Sequence, residues 1–430
     1  MKRFTLVLLT AISFAAQAQT PVSQGSGSRS VTPWYVQGAT SATAAPLNVS
    51  LPAYQRSAFG GVLVEQDTPV VSLSFNYNIN TYFLTTDLLN GGTVTQSNGK
   101  AVLQTSANAA GFAHFHSKAG ARYTPGQGII ERFTGIFSPC TASSQQEIGV
   151  GDEVDGFFFA CQNATFGVIR RQNSVDTFTA QTAWNADRMN GAGGSLNPSG
   201  QTLAITNGNV YVIEFQWLGF GAIRFFVENS VTGTLQLVHT IQYANLNTNP
   251  SVFNPTLPAH ALIKNTGNAT NLTLQTASMG IYIEGPIPDL IGSNGSAGNN
   301  KTVASETSII TIRNNATFQS KTNRVRVKLK FLNTLTAADS IIRVLLNTTL
   351  GGTPSFTDFD TATSPMSFDT AGTTVTGGRQ IMRLTNAKAT LGAIDLDPLE
   401  IRLNPGDTMT FTSSTGASDI NIMWFEEFGG

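Results

Sequence analysis

Chemistry in this 430-residue chain is concentrated between Glu147 and Arg171, in EIGVGDEVDGFFFACQNATFGVIRR. A compact acidic group, Asp152, Glu153 and Asp155, lies there between Gly151 and Gly156. A retaining glycoside hydrolase on a β-sandwich sets two Glu carboxylates about 5–5.5 Å apart on one strand face. Its pattern is E-x-D-x-E, or E-x-D-x-x-E where a bulge restores the alternation. Glu153-Val154-Asp155 supplies the first half, but Phe157 and Phe158 stand where the acid/base carboxylate belongs. Asp152 falls on the opposite face of a regular strand. Asp152, Glu153 and Asp155 could instead ligate calcium, which takes about six to eight oxygens. The third reading is a turn whose Asp side chains accept nearby N–H groups, and the turn is the expectation.

His114-Phe115-His116 puts two imidazoles on one strand face, a spacing that metal sites use. No carboxylate or cysteine lies within ten residues, and His239 and His260 are distant in sequence. An exposed or hydrogen-bonded pair is therefore expected. Cys140 and Cys161 are 21 positions apart. They form a disulfide if export takes the chain to an oxidising compartment and the Cα atoms come within about 4.4–6.8 Å. Two buried thiols are the alternative, and zinc is excluded for want of a second pair or a suitably spaced His. Among the aromatics, Trp184, Phe220 and Tyr243 are candidate sugar-stacking platforms, Trp184 foremost because its surroundings are polar. Trp217 sits on the apolar face of its strand and reads as core. There is no nucleophile elbow, phosphate loop, zinc-protease motif or dinucleotide fingerprint.

The elements that would carry these residues are short strands. Charged residues are only 12% and hydrophobic residues 41%, with 27 Phe and much Thr, Asn, Ser and Gly. That mixture suits many strands joined by turns. A net charge of −1 offers no field for nucleic acid or an acidic membrane. Residues 1–18 have the form of a secretory signal ending at Ala16-Gln17-Ala18. No later stretch approaches the ~20 apolar residues of a membrane span. Residues 19–58 read as an extended arm with Trp34-Tyr35 as its aromatic pair. Residues 59–285 show strand runs every ten to fifteen positions. Asn98-Gly99 marks a hairpin, and in YVIEFQW Tyr211, Ile213, Phe215 and Trp217 alternate with Val212, Glu214 and Gln216. Residues 286–300, PIPDLIGSNGSAGNN, read as a linker. Residues 301–430 resume the strand pattern. There Arg324, Arg326, Lys328 and Lys330 make a basic face opposite Val325, Val327, Leu329 and Phe331. Such a face could contact phosphate or acidic glycans, but a solvated outer face is the expectation.

The meander NVYVIEFQWLGFGAIRFFVENSVTGTLQLVHTIQYAN resembles the back strands of concanavalin/laminin-G-like jelly rolls. The ordered set RYTPGQG, RFTGIF, QEIGVGDEVDGFFFACQNATFGVIRRQ, FQWLGFGAIRFFVEN and VHTIQYANLNT, within about residues 110–285, resembles structural proteins of tailed bacteriophages and large DNA viruses. The resemblance implies a virion-surface protein, commonly multimeric, and transfers no catalytic residue. The expected fold is all-β, a jelly-roll (concanavalin-like) sandwich followed by a second β-sandwich. The expected function is non-enzymatic capsid decoration or host attachment, with other virion or surface proteins and cell-surface glycans as partners and no cofactor beyond a calcium ion. A secreted carbohydrate-binding or adhesion protein is the alternative that the signal favours, and a sandwich glycoside hydrolase is the third.

Overall fold

The computed structural model describes residues 67–286 and 292–428. The expected signal over 1–18 and arm over 19–58, with Trp34 and Tyr35, lie outside the described residues. Within them the chain is all-β apart from two short 3-10 turns, and it builds two sandwiches.

The first sandwich faces a nine-stranded sheet against a seven-stranded one. The seven strands run in the order Val175–Ala180, Thr165–Gln172, Gly156–Gln162, Ser144–Gly151, Leu257–Asn265, Phe112–Ala121 and Leu84–Leu89, every pair antiparallel. Hairpins set part of this order locally. Asn98 and Gly99, both with positive φ, close Thr93–Ser97 onto Lys100–Gln104. Asn163 takes the same left-handed backbone between Gly156–Gln162 and Thr165–Gln172. Alternation then sends Ile148, Val150, Phe157 and Phe159 into the core. They meet the facing sheet there, with Phe159 against Tyr211 at 4.7 Å and Phe157 against Phe215 at 4.9 Å between ring centroids. Burying these rings removes the apolar surface that drives sandwich formation.

The strand Asn209–Phe215 departs from the half-buried expectation. Its second face is covered too, because Val212 packs with Ile130 and Phe226 in a small outer cluster and Glu214 is buried beside them. Glu131 is more extreme. It faces the core between Ile213 and Ile281, is fully buried, and neither carboxyl oxygen has a partner. Burial raises its pKa well above the ordinary carboxyl value, so the side chain is held protonated.

Of the expected linker over 286–300, residues 287–291 lie outside the described residues, and from Ser293 on the structure has a strand in its place. Ser293–Val303 is an eleven-residue edge strand paired along its whole length with Gly416–Glu427. Its Gly- and Ser-rich composition has a packing cause. A Cβ at Gly295 would stand 2.5 Å from the indole of Trp424, a core residue of the second sandwich. We expect Gly295→Val to cost about 1–3 kcal/mol by overpacking, read as a lower denaturation midpoint; an unchanged midpoint would remove this explanation. The second sandwich stacks the sheet containing Ser293–Val303, Gly416–Glu427 and Arg326–Thr336 on a six-stranded sheet centred on Thr307–Asn314 and Thr408–Ser413. Ile309, Ile312, Leu329, Phe411, Ile422 and Trp424 are among its core residues. The two sandwiches touch through Lys118 to Asp407 at 3.1 Å and Arg122 to the Phe428 carbonyl at 3.2 Å.

Candidate functional site

If Phe157 and Phe159 point inward, Phe158 must point outward, and the other strands of the seven-stranded sheet obey the same rule. Direct pairs such as Asp87 with His114, and diagonal neighbours such as His114 with His260 and His260 with Glu147, then bring side chains of successive strands together on the outer face. Asp87 Oδ2 lies 3.1 Å from His114 Nδ1, and His114 Nε2 lies 3.0 Å from His260 Nδ1. His260 Nε2 lies 2.8 Å from Glu147 Oε1. Arg171 grips Glu147 with two bonds of 2.8 Å and reaches Asp176 at 2.7 Å. Gln145 donates to Glu147 at 2.6 Å. Phe158 roofs the row, with its ring 4.9 Å from both the His260 ring and the Arg171 guanidinium carbon. The result is a continuous hydrogen-bonded chain of side chains from six of the seven strands, passing over Gly156–Gln162 beneath Phe158, buried at Glu147 and His260 and open at Asp87.

Electrostatics agree with this order. Burial pushes Glu147 up, but the Arg171 charge and the bonds from His260 and Arg171 outweigh it and hold the carboxyl well below its usual range. Burial, followed by the His114 charge, brings His260 down to about 3 despite Glu147. His116 is lowered to about 4, again by burial first and His114 second. The pair expected to be merely hydrogen-bonded or exposed is therefore part of a larger assembly. Among the described residues, the donors that converge as a metal could require are those of Asp87, His114 and His116, all within 4.8 Å of one another. They open onto a cavity of about 480 Å³ that Asp152, Glu153, Asn323 and Arg324 also line.

The acidic loop has a different role. Asp152 Oδ1 accepts the N–H groups of Val154 and Asp155 at 2.8 and 2.9 Å, and its Oδ2 pairs with Arg324 of the second sandwich. Asp155 is buried and accepts N–H groups from Asn173, Phe253 and Asn254. Glu153 is exposed on the cavity wall. The oxygens offered as calcium ligands at Asp152 and Asp155 are thus spent on making the turn and docking Arg324. Because residues 152–155 form a turn, counting faces along a regular strand does not apply to them.

The basic run is a second correction. It is not a solvated face: Lys328 is buried and bonds Asp397 and Glu400 at 2.5 Å, and Lys330 bonds Asp397 at 2.6 Å. Alternation also breaks at a bulge between Leu329 and Phe331, so Leu332 rather than Phe331 reaches the core. Arg324 crosses to Asp152 and to the Asn254 carbonyl, at 2.7 Å for the latter. Arg326 lines a groove of about 720 Å³ along the seam of the sandwiches, with Arg122, Trp217, Phe318, Arg402 and Phe428. Its side chain makes no hydrogen bond or salt bridge among the described residues, and its Nε is buried without an acceptor. Burial lowers the pKa of Arg326, partly offset by Glu427, and burial likewise lowers that of Arg122. Groove and cavity share Gly120, Thr256, Thr322, Asn323 and Arg324, so they adjoin.

The aromatic expectations are overturned in part. Trp184 is fully buried, edge-on to Phe159 and Phe166, and Tyr243 is buried beside the Arg170 guanidinium. Neither is an open platform, because a polar neighbourhood in sequence does not prevent a large ring from being drawn into a core. Phe220 is half-buried near Tyr243. Trp217, read as core, packs against the core and also borders the groove, where Phe318 and Phe428 form a ring pair at 6.2 Å. Cys140 and Cys161 are joined, with Cα atoms 5.2 Å apart.

No protein-family model matches the chain, and no curated protein matches it by sequence. Its structure is similar to that of the carbohydrate recognition domain of Emp47p, at 10% identity and a TM-score of 0.31, over 50% of this chain and 95% of that one. It is also similar to the cellulose induced protein Cip1, at 14% identity and a TM-score of 0.31, over 49% and 96% of the two chains. Lectin II from Ulex europaeus is matched at 10% identity and a TM-score of 0.31, over 50% of this chain and all of that one. Each likeness covers about half of this chain.

Proposed function

We propose that this is a non-enzymatic surface-recognition protein that binds an acidic glycan in the groove between its two sandwiches. One observation supports this most: the half-buried Arg326 side chain lines the groove with no hydrogen bond or salt bridge among the described residues, and its Nε is buried without an acceptor. A guanidinium N–H removed from water without an acceptor is costly, and an anion at the groove wall would complete it. Its planar fork suits a carboxylate or sulfate, and Phe318, Phe428 and Trp217 offer ring faces and edges to the apolar side of a sugar. Setting on a virion rests on the resemblance of residues 110–285, and setting on a cell surface on the signal-like residues 1–18. Neighbouring genes for capsid or tail proteins would favour the virion, and a mature N-terminus just after Ala18 would favour an exported adhesin.

A glycan array comparing uronate- or sulfate-bearing glycans with neutral ones tests the reading. Retention of acidic glycans should fall with added salt. Arg326→Ala should weaken it about 10- to 100-fold, the loss of a charge-assisted hydrogen-bond pair. Equal retention of neutral glycans, or no retention of either class, would sink the proposal.

A further inference from the structure

We infer that Asp87, His114 and His116 form a binding site for one divalent transition-metal ion of the zinc class, with a coordination position open to the cavity beside Glu153. Proton counting along the polar row leads to it. Glu147 is paired with Arg171 and can only accept, so His260 Nε2 carries a proton. A neutral His260 then accepts at Nδ1, which obliges His114 Nε2 to donate. A neutral His114 is left with a bare Nδ1 facing the carboxylate oxygen of Asp87 at 3.1 Å. Two lone pairs cannot face each other at that distance without a cation between them. An extra proton on the imidazole pair is one answer, and a metal ion is the other.

Three further observations favour the metal. His116, two residues along the same strand and stacked on His114 at 5.1 Å, has a buried Nδ1 with no partner. Its donor lies within 4.8 Å of those of the other two residues, close enough that the exposed Asp87 side chain can close the set around an ion with bonds of about 2.0–2.2 Å. The supporting shell is already built as metal sites require. The second ring nitrogen of His114 is oriented by His260, which Glu147 orients in turn. Two imidazoles and a carboxylate suit zinc, cobalt, nickel or copper, and not calcium, which wants oxygen ligands in greater number. Hydroxyls of a bound ligand, or water, could occupy the open position. The site is independent of the glycan reading, since none of its three ligands lines the arginine groove.

The test uses the untagged full chain, stripped with a chelator and titrated with Co²⁺ near neutral pH. One equivalent should bind with the visible absorption of four- or five-coordinate cobalt, be displaced by Zn²⁺, and survive millimolar Ca²⁺. His116→Ala and Asp87→Ala, both at the cavity wall and checked by circular dichroism, should each weaken binding by more than about tenfold. Absence of stoichiometric Co²⁺ or Zn²⁺ binding by the folded native chain would overturn the inference and leave the proton as the bridging cation. Binding that persists unchanged in both variants would overturn it equally.

Discussion

Glu147→Ala is expected to lower the unfolding free energy by about 3–5 kcal/mol, the cost of leaving a buried charge without its partner. Arg171 would keep its bonds to Asp176 and the Asp152 carbonyl but lose both bonds to Glu147. His260 would lose the acceptor that orients it. Urea denaturation followed by tryptophan fluorescence measures the loss. The contribution of Glu147 is complete above the ordinary carboxyl value of 4.5 and fades as pH falls through its lower folded value. The gap between the native chain and the variant should therefore narrow in acid. A second variant separates charge from packing: Glu147→Gln with Arg171→Met removes both ionised groups and should recover much of the loss. If Glu147→Ala melted with the native chain, the row would be an ornament of the sheet and not part of its stability.

Glu131→Met should act in the opposite direction, stabilising the fold by about 1–3 kcal/mol near neutral pH by removing a buried polar group that has no partner. The sign follows from its raised pKa. Above about 4.5 the unfolded chain gives up this proton while the folded chain retains it. Native stability therefore falls as pH rises through that window, by up to ~1.4 kcal/mol per pH unit, until the folded group also ionises. The advantage of Glu131→Met should accordingly be larger at pH 8 than at pH 5. A gain that is independent of pH would show that the folded carboxyl ionises as the unfolded one does, and a loss that Glu131 has a partner in solution.

Local patterns carried much of the architecture. The Asn98-Gly99 hairpin is a property of adjacent residues and appears as expected, and a strand forms over Asn209–Phe215 where YVIEFQW alternates, although both of its faces are buried. Where local composition misled, a distant partner was responsible. Ser293–Val303 looks like linker because it is Gly- and Ser-rich, yet Trp424 and the backbone of Gly416–Glu427 make it a strand. Trp184 looks exposed because its neighbours are polar, yet Phe159 and Phe166 enclose it.

The site was harder to see, although it left a trace. In a chain with so few charges, Asp87 and Glu147 are the one charged residue of their strands, whereas His114, Arg171 and His260 share theirs with Lys118, Arg170 and Lys264. Alternation places each of them on a face of its own strand. From residue types and spacing alone come an all-β chain with two strand-rich regions, an acidic turn, a His pair and a basic run. Which strands lie side by side was settled only by the tertiary structure. His114 is 146 residues from His260, and His260 is 113 from Glu147. Sheet order is fixed by packing two apolar faces together over the whole domain, and no local spacing encodes it. That order turned the isolated His pair into the end of a buried relay, and the docking of the second sandwich placed Arg326 in a groove.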